Sequence, residues 1–394
     1  MKGRKALQIT VVAGSILVVA LAGCQKKTET KTGGPSAMRG TLQELVDTLQ
    51  GKTEVLTLGG GESGTIVVTP TYGARVLGAG VSGMESENHL WANSLIATSE
   101  FWKKQPREWN LGGARTWIAP EDRFYLDKQD NWSVPPQMDP GNYSLVSKDE
   151  RSVTCANEFD ITSRDDQSYH VKVTRHIRLL DALPEGFPAV SQDVKWVSFE
   201  TLHELENLGQ NVIGKDVKYM GLWSLDQVLP GGTMIIPINK SEKPPYRDYF
   251  EPVPPERISV TDEAITLKID GKRRGKIGVA PWAAKPILLL YEPKANGQAV
   301  LFVKQFPVDP NGVYVDHPWG KPSDYGDPVQ IYNDSGDMGG FAEMECHGAA
   351  QVLEPGAKES LKTTLTVLEG PADELKALGE KLTGLDFGKL KFYE

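Results

Sequence analysis

"YHVKVTRHIRLL", residues 169–180, decides the fold class. Tyr169, Val171, Val173, Ile177 and Leu179 fall on alternate positions, with His170, Lys172, Thr174, His176 and Arg178 between them. Side chains of an extended strand alternate between two faces, so this spacing predicts a strand with one apolar and one polar face. Working outward, the same pattern returns in "EVLTL" (54–58), "GTIVVTP" (64–70), "AVSQDVKWVSFETLHEL" (189–205) and "GTMIIPI" (232–238). It continues in "RISVTDEAITLKID" (257–270), "KPILLLYEP" (285–293), "AVLFVKQF" (299–306) and "SLKTTLTVLEG" (360–370). Gly, Pro, Asn and Asp bound these runs, and the chain's 40 Gly and 26 Pro supply the turns. Strands and helices do not alternate, which argues against a parallel α/β sheet. No fixed-period repeat marks a propeller. The expectation is an all-β protein, a large antiparallel sandwich whose two sheets bury their inner faces. Only "TLQELVDTLQGK" (41–52) has helical spacing, through Leu42, Leu45, Val46 and Leu49, with Gly51 as a stop. One short N-terminal helix is therefore predicted.

The chain opens differently. Lys2, Arg4 and Lys5 precede the apolar run "ALQITVVAGSILVVALAG" (6–23), which ends in small residues. Gln8, Thr10, Gly14 and Ser15 make it a marginal spanning segment, and a charged start with a small-residue exit reads as an export signal. "LAGC" resembles the lipobox of bacterial lipoproteins, which implies lipidation of Cys24 and anchoring to a membrane through acyl chains. Gln25 follows it, and by resemblance to Gram-negative lipoproteins that favours the outer membrane of the cell envelope. "QKKTETKTGGPSAMRG" (25–40) is polar and reads as a flexible tether. The organisation expected is a signal peptide over 1–23, a lipidated Cys and tether over 24–40, and one β domain over 41–394.

Net charge is −9, and the only basic run outside the N-terminus is "KRR" at 272–274, so nucleic-acid binding is not expected. Cys155 and Cys346 are either a disulfide pair or two separate buried thiols.

"FAEMECHG" (341–348) carries the first chemical signal. On a strand Glu343, Glu345 and His347 share one face, with neighbours roughly 6.5–7 Å apart, the reach of groups gripping one small ligand. The alternative is the wet face of an edge strand. "NLGGARTWIAPED" (110–122) carries the second: Arg115 can donate paired hydrogen bonds to vicinal hydroxyls or a carboxylate, and Trp117 offers a flat face to sugar C–H groups. The structural alternative is an Arg115–Glu121 pair pinning a loop over a core Trp. Arg75, after "YGA", reads the same way. Trp102, Trp109 and Trp117 lie in a loop-rich stretch, and the other tryptophans read as core. "NDSGD" (333–337) offers oxygen ligands for Ca²⁺ but lacks an EF-hand series, so an Asx/Gly turn is the simpler reading. No other cofactor or metal is expected from motifs.

Taken in order, "GTIVVTPTYGARVLGAGVSGMESENHLWAN" (64–93), "NLGGARTWIAPED", "FETLHELENLG" (199–209), "GLWSLDQVLPGGTMIIP" (221–237), "YRDYF" (246–250), "RGKIG" (274–278), "IYNDSG" (331–336) and "FAEMECHG" resemble galactose-mutarotase-like proteins. More narrowly, they resemble a family of uncharacterised bacterial lipoproteins carrying a domain of unknown function. The resemblance implies a β-supersandwich with a concave sheet face that holds a carbohydrate. It puts Glu345 at the place of the mutarotase general base; Glu343 itself reads as a solvated neighbour or a supporting hydrogen-bond acceptor. Mutarotation also needs an acid at the ring oxygen. The mutarotase His is missing from "KYMGLWSLDQV" (218–228), where Asp226 is the only aspartate or glutamate. His203 and His176, on predicted strands, are the other candidates for the acid or for sugar contact, and both have a structural alternative as satisfied strand histidines. The functional expectation is an envelope lipoprotein that binds or processes a carbohydrate. The alternative is a non-catalytic envelope protein that attaches to a polysaccharide or another protein.

Overall fold

A computed structural model of the chain describes residues 35–60, 64–214, 218–321, 323 and 325–393. The expected export signal, Cys24 and most of the tether lie outside the described residues. Residues 36–38 already hydrogen-bond to the 92–94 segment, as in Met38 N to Ala92 O at 2.7 Å.

Two antiparallel sheets dominate the molecule. One has nine strands, in the order Leu56–Leu58, Thr65–Thr69, Arg75–Gly80, Ala114–Ala119, Gly221–Val228, Ala342–His347, Val329–Asn333, Gly275–Val279 and Tyr246–Asp248. The other has ten, running from Ile258–Val260 at one edge to Ser144–Lys148 at the other. Its central strands are Gln298–Gln305, Lys358–Pro371, Lys195–Asn207 and Ser168–Leu179. The architecture is the all-β sandwich that the period-two runs predict.

In the Ser168–Leu179 strand, Tyr169, Val171, Val173, Ile177 and Leu179 are buried as the alternation requires. Arg175 falls in the same series and is buried too. Its guanidinium donates to the carbonyls of Ala74 and Ala114 on the facing sheet, so the charge spans the sandwich instead of breaking its inner face. The core between the sheets is otherwise aliphatic and aromatic, with Val68, Val76, Ile118, Leu222, Met344, Leu288, Phe302 and Val367 among its members.

The predicted helix forms over Leu42–Leu49. Thr41 and Glu44 build a reciprocal capping box, and Leu42, Leu45 and Leu49 are buried. It lies so close to the Arg75–Gly80 strand that a Cβ on Gly78 would meet Leu42 and Leu45 atoms at 2.7 and 2.9 Å. Short helices over Ser99–Lys103 and Glu121–Phe124 and a longer one, Ala372–Thr383, are additions to the expectation. The longer one lays Leu375 and Leu378 on the outer side of the ten-stranded sheet, against Leu289, Leu301 and Leu368. Cys155 and Cys346 are both buried and both free, so the disulfide alternative is not realised. No described helix is long and apolar enough to cross a membrane.

Candidate functional site: an indole-lined cavity

Five consecutive strands of the nine-stranded sheet, from Ala114–Ala119 to Gly275–Val279, carry the site on the face turned away from the other sheet. Strand pairing puts Lys276, Tyr332 and Glu343 opposite one another across three strands. It puts Trp117 opposite Trp223 across two more. Gly112 and Gly113 make this possible at the entry to the Ala114–Ala119 strand. Both have positive φ, and a Cβ would lie 2.3 Å from the Trp91 carbonyl oxygen at Gly112 and 2.2 Å from that of Val76 at Gly113. Only glycine lets the chain pass there and deliver Arg115 and Trp117 to the same face.

Over this face lies a cavity of about 340 Å³. That is the lower end of the roughly 300–1,000 Å³ range of small-molecule sites. Trp109, Trp117, Trp132, Trp223 and Trp319 line it together with Phe250, Tyr332 and Phe341. The indoles meet edge to face, Trp109 with Trp117 at 5.5 Å, Trp109 with Trp132 at 5.7 Å, and Trp117 with Trp223 at 5.3 Å. Arg115, Glu121, Arg274, Lys276, Asp334, Asp337 and Glu343 supply the charges of the lining.

Most of these charges are held by the protein. Arg115 donates to Glu343 at 2.6 Å and lies 4.3 Å over the Trp117 ring. Trp132 and Trp319 each donate an indole N–H to Glu121, at 2.9 and 3.2 Å. Lys276 stands 3.7 Å from Glu121 and 3.2 Å from Glu345. Burial works to lower the Lys276 ammonium, but the surrounding carboxylates, Glu345 and Glu121 first, override it and hold the pKa above its ordinary value. Burial raises Glu121, against the pull of Lys276. Asp334 accepts three backbone N–H groups, from Gly336, Met338 and Gly340, which makes "NDSGD" an inward-folded turn. Among the described residues no group of three or more His, Cys, Asp and Glu side chains is placed to hold a metal ion.

Beneath this lining lies Glu345. It is wholly buried, accepts from the Trp223 indole at 2.9 Å, and leaves its Oε1 without a partner. Burial pushes its carboxyl up to about 7, with Lys276 opposing. Glu343, Glu345 and His347 do share one face, but only Glu343 reaches the cavity. His347 stacks on Trp223 at 5.1 Å, and burial lowers its pKa to about 3, which keeps the imidazole neutral.

Arg115, Trp117, Glu121 and Glu343 thus come together as cavity-facing residues. Arg75 stands one layer back. It pairs with Asp139 at 2.5 Å, and the same carboxylate oxygen accepts the Trp117 indole N–H at 2.7 Å. The expected acids are elsewhere. His203 lies between the sheets, where Nδ1 meets Thr116 at 2.5 Å and Nε2 meets Thr363 at 3.0 Å. Burial drives its pKa well down. Asp226 lies on the same core face, paired with Lys304 at 2.9 Å. Both point away from the cavity, against the expectation that one of them serves a sugar. His176 is on the outer side of the ten-stranded sheet, 40% exposed and 3.1 Å from Glu204. Trp102 packs with Tyr72 and Phe101, also away from the cavity.

Sequence reasoning passed over Lys276, Arg274, Trp132, Trp223 and Trp319. The signal for the first two was present: in "RGKIG", Arg274, Lys276 and Gly278 share one strand face.

The chain belongs to a family of unknown function, DUF6786, which matches residues 40–393. No curated protein matches it. Among solved structures it is similar to a putative aldose 1-epimerase from Escherichia coli K12, at 14% identity and TM-score 0.48, over 80% of this chain and 98% of that one. It is also similar to a galactose mutarotase-like protein from Lactobacillus casei, at 11% identity and TM-score 0.47, over 80% and 100% of the two chains. A putative aldose 1-epimerase from Klebsiella pneumoniae matches at 12% identity and TM-score 0.37, over 89% and 91%.

Proposed function

We propose that this protein binds a carbohydrate ring in the indole-lined cavity. The observation that carries the reading is the convergence of five indoles with Arg115, Glu121, Lys276 and Glu343 around a hollow of about 340 Å³. A sugar ring presents apolar C–H faces and a belt of hydroxyls. Aromatic faces match the first, and fixed charged groups that donate and accept match the second. Calorimetric titration with a panel of mono- and disaccharides tests it. A saturable heat is expected, weakened about tenfold by Trp132→Ala, since one stacked aromatic contributes on the order of 1 kcal/mol. A panel that gives no heat at millimolar concentration refutes the reading.

One observation favours a second reading, proton transfer at the anomeric centre. Glu345 and Glu121 both have raised pKa values and share Lys276 between them. Of these groups Glu121 and Lys276 line the cavity: the Glu121 carboxylate would remove the O1 proton and the Lys276 ammonium would protonate the ring oxygen to open the ring, and closure on the other face reverses both transfers. Glu121→Gln keeps the shape and removes the base. The reading expects anomer exchange, followed by NMR, to fall about 100-fold or more in this variant. Exchange that survives the substitution rules it out.

The location proposed is the cell envelope, with Cys24 as the lipid attachment point. Cys24→Ala should move the protein from the membrane to the soluble fraction. Retention in the membrane would contradict the anchor.

A further inference from the structure

The sequence holds one basic run outside its N-terminus, Lys272 to Arg274, in a chain of net charge −9. All three residues are exposed, and Arg274 lines the cavity. Its guanidinium carbon lies over the Phe250 ring, 3.8 Å from the centroid, within the reach of a cation–π contact. Among the described residues no carboxylate comes within 4 Å of it, whereas Arg115 and Lys276 each have one or more.

The acids of the lining are answered differently. Glu121 holds two indole N–H groups, Glu343 holds Arg115, and Asp334 holds three backbone N–H groups and the Tyr332 hydroxyl. Asp337 accepts from the Ser335 hydroxyl at 2.6 Å. Among the described residues, Arg274 is therefore the one cation of the lining with no carboxylate partner.

We propose that the ligand is an acidic saccharide, a hexuronate or a glycan ending in one, whose carboxylate is received by Arg274. This rests on the carbohydrate reading above and narrows it. A planar guanidinium edge matches a carboxylate with two parallel N–H···O bonds. Asp334 and Asp337 line the same cavity, so a doubly charged phosphate would meet more repulsion there than a singly charged carboxylate.

The test is a calorimetric comparison of D-glucuronate, D-galacturonate and D-mannuronate with glucose, galactose and mannose. Glucose 6-phosphate and glucose 6-sulfate are the further arms, and the full-length protein and its Arg274→Gln variant are both titrated. At least one hexuronate should bind about tenfold or more tightly than its parent hexose and than the phosphate and sulfate. Arg274→Gln should cost that hexuronate about tenfold more affinity than it costs the parent hexose, which removes the preference. Because Arg274 is exposed, the variant keeps its fold. Equal affinity for uronate and hexose, or a preference that survives Arg274→Gln, overturns the proposal and leaves carbohydrate binding standing. Tighter binding of the phosphate or sulfate overturns the carboxylate assignment. If neither hexose nor hexuronate binds, the carbohydrate reading falls and this proposal falls with it.

Discussion

Asp139 supports the cavity from behind. One of its oxygens meets Arg75 at 2.5 Å and the Trp117 indole at 2.7 Å, with the Arg115 Nε at 3.8 Å. Arg75 is fully buried, so removing its counter-charge strands a cation in the interior. Asp139→Asn should cost about 3–5 kcal/mol, read from the denaturant midpoint. His176→Ala, which loses a solvent-screened pair with Glu204 and a surface hydrogen bond with Thr154, should change stability by about 1 kcal/mol or less. Equal losses from the two variants would contradict this account. Arg115, Trp117, Glu121 and Glu343 were legible because one turn and one strand present them in chemically telling company. Asp139 was not, because nothing local marks a loop aspartate as the partner of an arginine 64 residues away. His203 and Asp226 misled for a physical reason. Alternation assigns a side chain to one of two faces, but here both faces of the nine-stranded sheet are covered. A buried polar residue looks the same in sequence whether it meets the cavity or the opposite sheet.

At the scale of elements, the strands followed the period-two runs closely. The run 257–270 resolved into two strands, Ile258–Val260 and Ala264–Lys268. The Ala372–Thr383 helix went unread although its punctuation is regular: Pro371 before it, Asp373 and Glu374 in the first turn, Lys381 in the last, and Gly384 in a left-handed cap. Its apolar stripe is narrow, because it covers only one patch of the ten-stranded sheet. Where the sheets are tied together, Glu359 of the Lys358–Pro371 strand accepts from the backbone N–H groups of Leu222 and Gln351, at 3.2 and 2.9 Å. Burial raises its carboxyl to about 7. The folded state therefore binds this proton more tightly than the unfolded chain does. The resulting stability is present below pH of about 4.5 and is lost as pH rises through 7. Glu359→Gln cannot titrate. Its stability relative to the parent should rise by about 3 kcal/mol between pH 4.5 and 8, measured by denaturation at each pH. A difference that does not vary with pH would show that Glu359 carries no such linkage.

For the whole molecule, the two sheets divide the work. Their facing surfaces make the core, in which Arg175, His203, Asp226 and Lys304 are partnered polar members. The outer face of the nine-stranded sheet collects aromatic residues from strands and loops far apart in sequence, from Trp109 to Phe341. That long-range assembly explains why the fold class could be read from local runs while the cavity could not. Alternation is a property of neighbouring residues; a cage of five indoles spread from Trp109 to Trp319 is a property of the closed sheet. The central claim is that this cage grips a sugar by its C–H faces. Saturation-transfer difference NMR reads that contact directly, because saturation passes from the protein to the ligand protons that touch it. The account predicts strong transfer to the ring C–H protons of at least one saccharide, much reduced in Trp132→Ala. Transfer that is absent across the panel, or unchanged in the variant, would contradict it.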